Sequence, residues 1–379
     1  MEDDDFIQKV WLEALDGIDC FIIQDKEQEK ILKEYFDMLK DKVIDEKHRH
    51  PKFKDTEFEK QYGIIPAGDK NNVHLIKSRM LQGVYRGQKY KKSDSVYCNI
   101  VLEDNMEDNK FINFMRDKQL VKDVENELDA IKKRERLTEE ERLFTNLLSS
   151  QPMAFNIFLP LKWNYFNVGN AVFKELFPFL NIKCLEDIQM EYVPNDENGK
   201  DKRVTRDRSC FDVFVKYKNN NDETCGIGIE VKYTESFSQS DYWNRTDDKK
   251  TRYIDAIEKE YTNQFFKKYE EEYLRPKYNQ LFRNQLIVEE VKKKTPIKNC
   301  ILAVVHSKED EKCAKLVAEF QDLIKQKNSC IPITIERIIK LAKAFADFPE
   351  TKSLYEKIDD RYCNYEKLKD HWEELKRNF

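Results

Sequence analysis

Nine glycines in 379 residues leave few places for tight turns or for backbone to close on itself, so long helices dominate the expectation. No hydrophobic run approaches the roughly 18 residues that a membrane-spanning helix needs, and the opening MEDDDF is acidic where a secretory signal is basic. Both point to a chain that stays in the cytoplasm with no membrane partner. The nine cysteines are odd in number, contain no C-x-x-C and have no matched histidine spacing, which argues against a disulfide framework and against zinc. They read as reduced, small core residues. Histidine is scarce as well: of five, His48 and His50 flank Arg49 in a polar stretch, and His306 ends an apolar run, where a surface position or a place lining a site both fit. The formal net charge of −5 is no signature of a nucleic-acid binder, although an acidic protein can still carry a local basic patch.

What the chain does have is a pair of short runs rich in β-branched and aromatic residues, SCFDVFVKY from Ser209 and CGIGIEVKY ending at Tyr233, joined by the turn KNNNDET. That pattern is an antiparallel strand pair. With period-two alternation, Phe211, Val213, Val215 and Tyr217 share one face, opposite Cys210, Asp212, Phe214 and Lys216. On the second strand Ile227, Ile229, Val231 and Tyr233 form an apolar face, and Gly226, Gly228, Glu230 and Lys232 point the other way. Asp212, Glu230 and Lys232 are thus expected on one patch, beside glycines that leave space for a ligand. Two carboxylates suit a hard divalent ion such as Mg²⁺, and a neighbouring lysine suits the orientation of a water or the charge of a phosphate in flight.

The preceding strand, around Ile188 to Val193, sends Gln189, Glu191 and Val193 to one face, so Glu191 is phased like the other two acids. It is the candidate third acid, with Glu175 on the preceding helix (Asn167 to Phe179) as the alternative. Thr138 with Glu141 forms a capping box, and Pro152 with Ser150 as cap starts a helix through Phe155 and Phe158 to Pro160. The loop from Pro194 to Arg208 brings Arg203, Arg206 and Arg208 towards the Asp212 strand. From Trp243 to Lys298 there are 14 Lys and Arg against 10 Asp and Glu, which makes this crossover the place to look for phosphate contacts in an otherwise acidic chain. Two helices flank Arg275-Pro276 there, and Gln280, Arg283 and Asn284 share a face of the second. NCILAVVH, 299 to 306, reads as a buried parallel strand, followed by helices at 308–327, 335–347 and 364–377 and a short strand at 331–335. Residues 1 to about 45 read as helices with core-facing stripes. Arg79, Arg86, Lys89, Lys91 and Lys92, interleaved with Tyr85 and Tyr90, form either a phosphate-contacting segment or a solvated surface.

Asp212, the turn and Glu230-Val231-Lys232 resemble the D…E-x-K signature of the PD-(D/E)XK phosphodiesterase superfamily, of restriction-endonuclease-like fold. The wider context SSQPMAFNIF, MEY, SCFDVFV and GIEVKYTESF is similar to a little-characterised bacterial branch of it, over about 140 to 306. The proline usual before the metal-binding Asp is replaced by Phe211. The resemblance implies an α/β (mixed α+β) core, a central mixed sheet flanked by helices, with a mainly helical region at 1–137, the core at 138–330 and a helical extension at 331–379. It implies a Mg²⁺-dependent endonuclease (Mn²⁺ substituting), with the metal on Asp212, Glu230 and the Val231 carbonyl, catalysis by these with Lys232 and Glu191, and substrate contacts from Arg208, Gln280, Arg283, Asn284 and Gln151. Ser150 and Asn156 line or brace the site in the same reading. DNA is the favoured nucleic-acid partner, with a homodimer or a partner protein in restriction or anti-phage defence. The alternatives are a non-catalytic nucleic-acid-binding or assembly module, and a nuclease acting on RNA or a small nucleotide.

Overall fold

The computed structural model describes residues 117–134, 140–194, 209–237, 248–266 and 270–367, with isolated positions between 74 and 115. The chain divides into two compact units, Met1–Asn113 with Glu141–Ser149 and Lys357–Phe379, and Phe114–Glu140 with Ser150–Glu356. The second holds the whole sheet.

Among the described residues the elements run α1 (Lys118–Lys133), α2 (Glu140–Thr145), α3 (Ser150–Phe158), α4 (Trp163–Leu176), β1 (Ile182–Tyr192), β2 (Phe211–Asn219), β3 (Thr224–Val231), α5 (Asp248–Asp255), α6 (Glu270–Tyr273), α7 (Pro276–Lys294), β4 (Asn299–His306), α8 (Glu311–Leu323), β5 (Cys330–Thr334), α9 (Ile335–Phe345) and α10 (Pro349–Tyr362). Local chemistry sets many of the ends. Asp117 caps α1 by accepting from the Gln119 and Leu120 N–H groups, Asp310 caps α8 and Thr334 caps α9. Pro276 opens α7, where its missing N–H costs nothing. In the β2–β3 turn, Asn219 Oδ1 accepts from the Asn221 and Glu223 N–H groups while Asp222 takes φ 59°.

The five strands lie in the order β1-β2-β3-β4-β5. β1, β2 and β3 form an antiparallel meander, and β4 and β5 add in parallel. A parallel neighbour requires a crossover, which α5 to α7 supply. α4 packs on β1 and α3 on β2 and β3, while α7 lies against β3 and β4, and α8 against β4 and β5. Both faces of the central strands are therefore covered, which is why β3 and β4 are buried almost throughout.

The glycine side is not open. Phe211 and Phe214 join Tyr253, Phe282, Leu286, Leu302 and Val304 in one core cluster beneath α7. A Cβ on Gly228 would fall within 2.6 Å of three atoms of the Phe211 ring, and one on Gly226 would strike the Phe214 ring. The glycines thus make room for aromatic rings of the protein and not for a ligand. Phe211 also departs from its predicted face: as the first residue of β2 it turns onto the glycine side, and Tyr192, its partner on β1, stacks with Phe214 at 3.9 Å. His306 is buried with Nδ1 bonded to the Ser307 carbonyl at 2.8 Å, so it is a satisfied core residue. The other unit has a buried centre of its own, where the Arg361 guanidinium sits between Tyr85 and Tyr362 and donates to Gln82 and Asn113.

Because ring and glycine fill one another's space, Gly228→Ala is expected to destabilise the protein by about 1–3 kcal/mol, the usual cost of overpacking. Phe211→Leu in the same chain should recover part of that loss in thermal or urea denaturation. Independent, additive losses would show that the two positions do not share one volume.

Candidate active site

The end of β3 carries the functional pattern. Glu230 and Lys232 flank Val231, and both side chains are buried, at 3% and 6% exposure. Two such charges are tolerable only when paired and hydrogen-bonded. The Lys232 Nζ lies 2.8 Å from Glu230 Oε1 and donates to Gln280 Oε1 at 3.1 Å. Gln280 Nε2 donates to Glu230 Oε1 at 2.5 Å, and Asn284 Nδ2 to Glu230 Oε2 at 2.7 Å. Spacing of four residues on α7 sets both amides over the same carboxylate. Lys232 also lies 4.9 Å from the centre of the Phe237 ring, and its backbone N–H donates to the Val305 carbonyl at 2.7 Å, which ties the end of β3 to β4.

Asp212 enters from β2. Its Oδ2 accepts from the Val231 N–H at 2.6 Å, so the β2 acid is fastened to the E-x-K segment itself. Burial, then the carboxylates of Glu230 and Glu191, push its pKa well above the usual carboxylate range, against the opposing pull of Lys232 and the Val231 N–H. Lys232 goes the other way. Burial alone would lower its pKa, but the Glu230 and Asp212 carboxylates more than offset this and hold it above the ordinary lysine value.

Glu191 is reached as the phasing anticipates, although not by a regular strand. It falls between the Met190–Val213 and Tyr192–Phe211 pairs at φ 50°, a left-handed backbone that is costly for a residue with a side chain. Gln151 Nε2 donates to its Oε1 at 3.1 Å and the Cys210 thiol to its Oε2 at 3.1 Å. Burial, followed by Glu191 and Asp212, drives the Cys210 pKa well up, so it stays a thiol and a donor. Glu175 is exposed on α4, and its charge is not among those acting on Asp212.

Asp212, Glu230, Lys232, Glu191, Gln280, Asn284 and Gln151 are therefore gathered in one place. Arg283 donates to Asn279 Oδ1 at 2.9 Å and to Ser209 Oγ, just before the start of β2. Arg203, Arg206 and Arg208 lie outside the described residues, as do the segments 1–45 and 86–92, His48 and His50, Thr138 of the capping box and the end of the 364–377 helix. Asn156 accepts from the Met115 N–H and braces the chain before α1. Ser150 is the first residue of α3 and not its cap: its N–H and Oγ donate to Glu235 Oε1 at 2.9 and 3.2 Å. Neither Glu235 nor Cys210 is singled out by sequence pattern. The only signal for Glu235 is its place three residues beyond Lys232.

These contacts put two acids, a strand-end carbonyl and a lysine in the D…E-x-K order on adjacent strands. The profile of the PD-(D/E)XK nuclease superfamily matches residues 70–364, more than three quarters of the chain. The chain belongs to the PD-(D/E)XK nuclease superfamily. Its five-stranded mixed sheet with flanking helices agrees with the restriction-endonuclease-like fold of those nucleases. No curated protein and no solved structure matches it. Among the described residues no helix is long and apolar enough to cross a membrane.

Divalent cations are typical of PD-(D/E)XK nucleases, and the donor set here fits one. The Glu230 and Glu191 carboxylates both press on Asp212 beside a single ammonium, and these carboxylates with the Val231 carbonyl offer hard oxygens. Among the described residues no three His, Cys, Asp or Glu side chains converge on one point. Both Glu230 oxygens are instead taken by Lys232, Gln280 and Asn284.

A carboxyl whose pKa is raised on folding opposes folding once the pH exceeds its unfolded value near 3.9. Asp212→Asn keeps an oxygen for the Val231 N–H and removes the charge. In EDTA its melting temperature should therefore exceed that of the wild type by a few degrees at pH 8, about 1 kcal/mol being worth roughly 2–4 °C in a domain of this size. The gap should shrink as the pH falls towards 4. A variant less stable than the wild type at every pH would contradict the crowding of like charges.

Proposed function

We propose that this PD-(D/E)XK nuclease is a Mg²⁺-dependent endonuclease that hydrolyses phosphodiester bonds in DNA, Mn²⁺ substituting. The observation that carries the reading is the mutual interaction of Asp212, Glu230 and Lys232, with Glu191 as the third acid acting on Asp212. Asp212, Glu230 and the Val231 carbonyl would hold the cation. When bound, it supplies Lewis acidity towards a phosphoryl oxygen and lowers the pKa of a water ligand.

The rest of the chemistry falls to the chain. Lys232, held as an ammonium by its two carboxylates, serves as a charged donor that orients the attacking water and stabilises the phosphoryl oxygens as charge builds. It is not suited to be the base. Gln280 and Asn284 fix the rotamer of Glu230, and Gln151 that of Glu191. Arg283, beside the start of β2 through Ser209, is assigned to the substrate phosphates, together with Arg208. The similarity to a bacterial branch of restriction-endonuclease-like proteins supports duplex DNA as substrate and a role in restriction or anti-phage defence. Cutting both strands needs two sites, which a symmetric dimer supplies.

Plasmid, linear duplex, single-stranded DNA and RNA are to be incubated with the full chain in Mg²⁺, Mn²⁺ or EDTA. Metal-dependent nicking or cleavage of duplex DNA is expected. Lys232→Ala and Asp212→Ala should each lower it by at least about 10²-fold, the scale lost when one electrostatic group is removed from such a site. Preferential cutting of RNA would replace the substrate, and cutting that survives both substitutions would remove the site.

A further inference from the structure

One carboxylate beside the site adds its charge to those acting on Lys232 but has no assigned role in the mechanism above. Glu235 lies three residues past Lys232, beyond the end of β3, and its carboxylate caps the first turn of α3 through the Ser150 N–H and Oγ. A carboxylate at a helix N-terminus satisfies an orphan donor and meets the positive end of the helix dipole. The next residue, Gln151, donates to Glu191. Glu191 holds a left-handed backbone, takes the Cys210 thiol on its other oxygen and acts on Asp212. Asp212 in turn accepts from the Val231 N–H, on the strand that leads back to Glu235. The contacts close a ring through the end of β3, the start of α3, the end of β1 and the start of β2.

We infer that Glu235 is a positioning residue that docks the N-terminus of α3 so that Gln151 sets the third acid, Glu191, against Asp212. The inference rests on the nuclease reading for its catalytic consequence, but the docking itself does not. Without the Glu235 carboxylate the first turn of α3 loses this acceptor, Gln151 is held less firmly, and Glu191, at its left-handed backbone, loses the support of a fixed Gln151. Glu235 touches neither cation nor substrate in this scheme. Besides adding its charge to those acting on Lys232, it works through Gln151, so the two residues must be coupled.

Hydrogen exchange followed by mass spectrometry on the metal-free full chain tests the docking, comparing wild type, Glu235→Ala, Glu235→Gln and Gln151→Ala. Glu235→Ala is expected to speed exchange about tenfold both at residues 150–154 and at 189–193. Glu235→Gln, which keeps an oxygen acceptor, should lie between it and the wild type. Gln151→Ala should affect 189–193 alone. Acceleration confined to 150–154 in Glu235→Ala would make Glu235 a plain helix cap and overturn the inference. In the Mg²⁺ cleavage assay, Glu235→Ala should lower kcat by about 10–100-fold, the size of a misplacement effect, with KM for DNA changed less than twofold. The Glu235→Ala/Gln151→Ala double variant should be no worse than the poorer single one. Losses that multiply would also overturn it. If the wild type cuts nothing, the nuclease reading fails, and the exchange comparison still decides the docking.

Discussion

The arrangement depends on three buried or half-buried carboxylates and one buried ammonium sharing a small volume at the end of a strand. Glu230 and Glu191 both repel Asp212, and Lys232 offsets only part of that repulsion. Left to itself such a cluster would spread or protonate. It is held because each member is fastened to backbone or to a helix: Asp212 to the Val231 N–H, Glu230 to two amides of α7, Glu191 to Gln151 of α3 and to Cys210. The helices on the two faces of the sheet thereby serve the site as well as the core. α7 brings Gln280 and Asn284 from one side, and α3 brings Gln151.

The core makes this placement rigid. Gly226 and Gly228 let the rings of Phe214 and Phe211 lie flat on β3, and Tyr192 stacks over them from β1. Aromatic rings packed against bare backbone bury much apolar surface and leave little freedom to the strand ends that carry Asp212 and Glu191. The proline common before the metal-binding acid in this superfamily is absent, and Phe211 occupies its position in a different way, as a packing residue.

Much of this was legible in the sequence where the signal was local or periodic. The run 299–306 is a strand with those bounds, and the strand placed at 331–335 is found at Cys330–Thr334. The hairpin around KNNNDET and the Pro-started helix α7 follow from turn and cap chemistry, and the gathering of Asp212, Glu230 and Lys232 follows from strand parity, whereas α3 begins at Ser150 itself. Parity failed at Phe211, whose ring turns onto the glycine side where the strand begins, whereas Glu191 keeps its predicted side despite its positive φ. Sequence shows the absent side chain of a glycine and not the ring that fills its place, so free space beside Gly226 and Gly228 is expected where the structure has aromatic rings. Helix α10 at 349–362 was hidden behind FADFP, and the Glu235 cap joins residues 85 apart, a distance no local pattern spans.

The most direct measurement is the anomalous scattering of crystals of the full chain grown or soaked with Mn²⁺. The account predicts a manganese peak bound by the carboxylates of Asp212 and Glu230 and the carbonyl of Val231, with Lys232 beside it and no ligand from Glu235. A peak elsewhere with none at these residues would contradict the assignment of this cluster as the metal centre of the nuclease, as would a fully occupied lattice soak that leaves the Glu230–Lys232 pair and its two amides undisturbed.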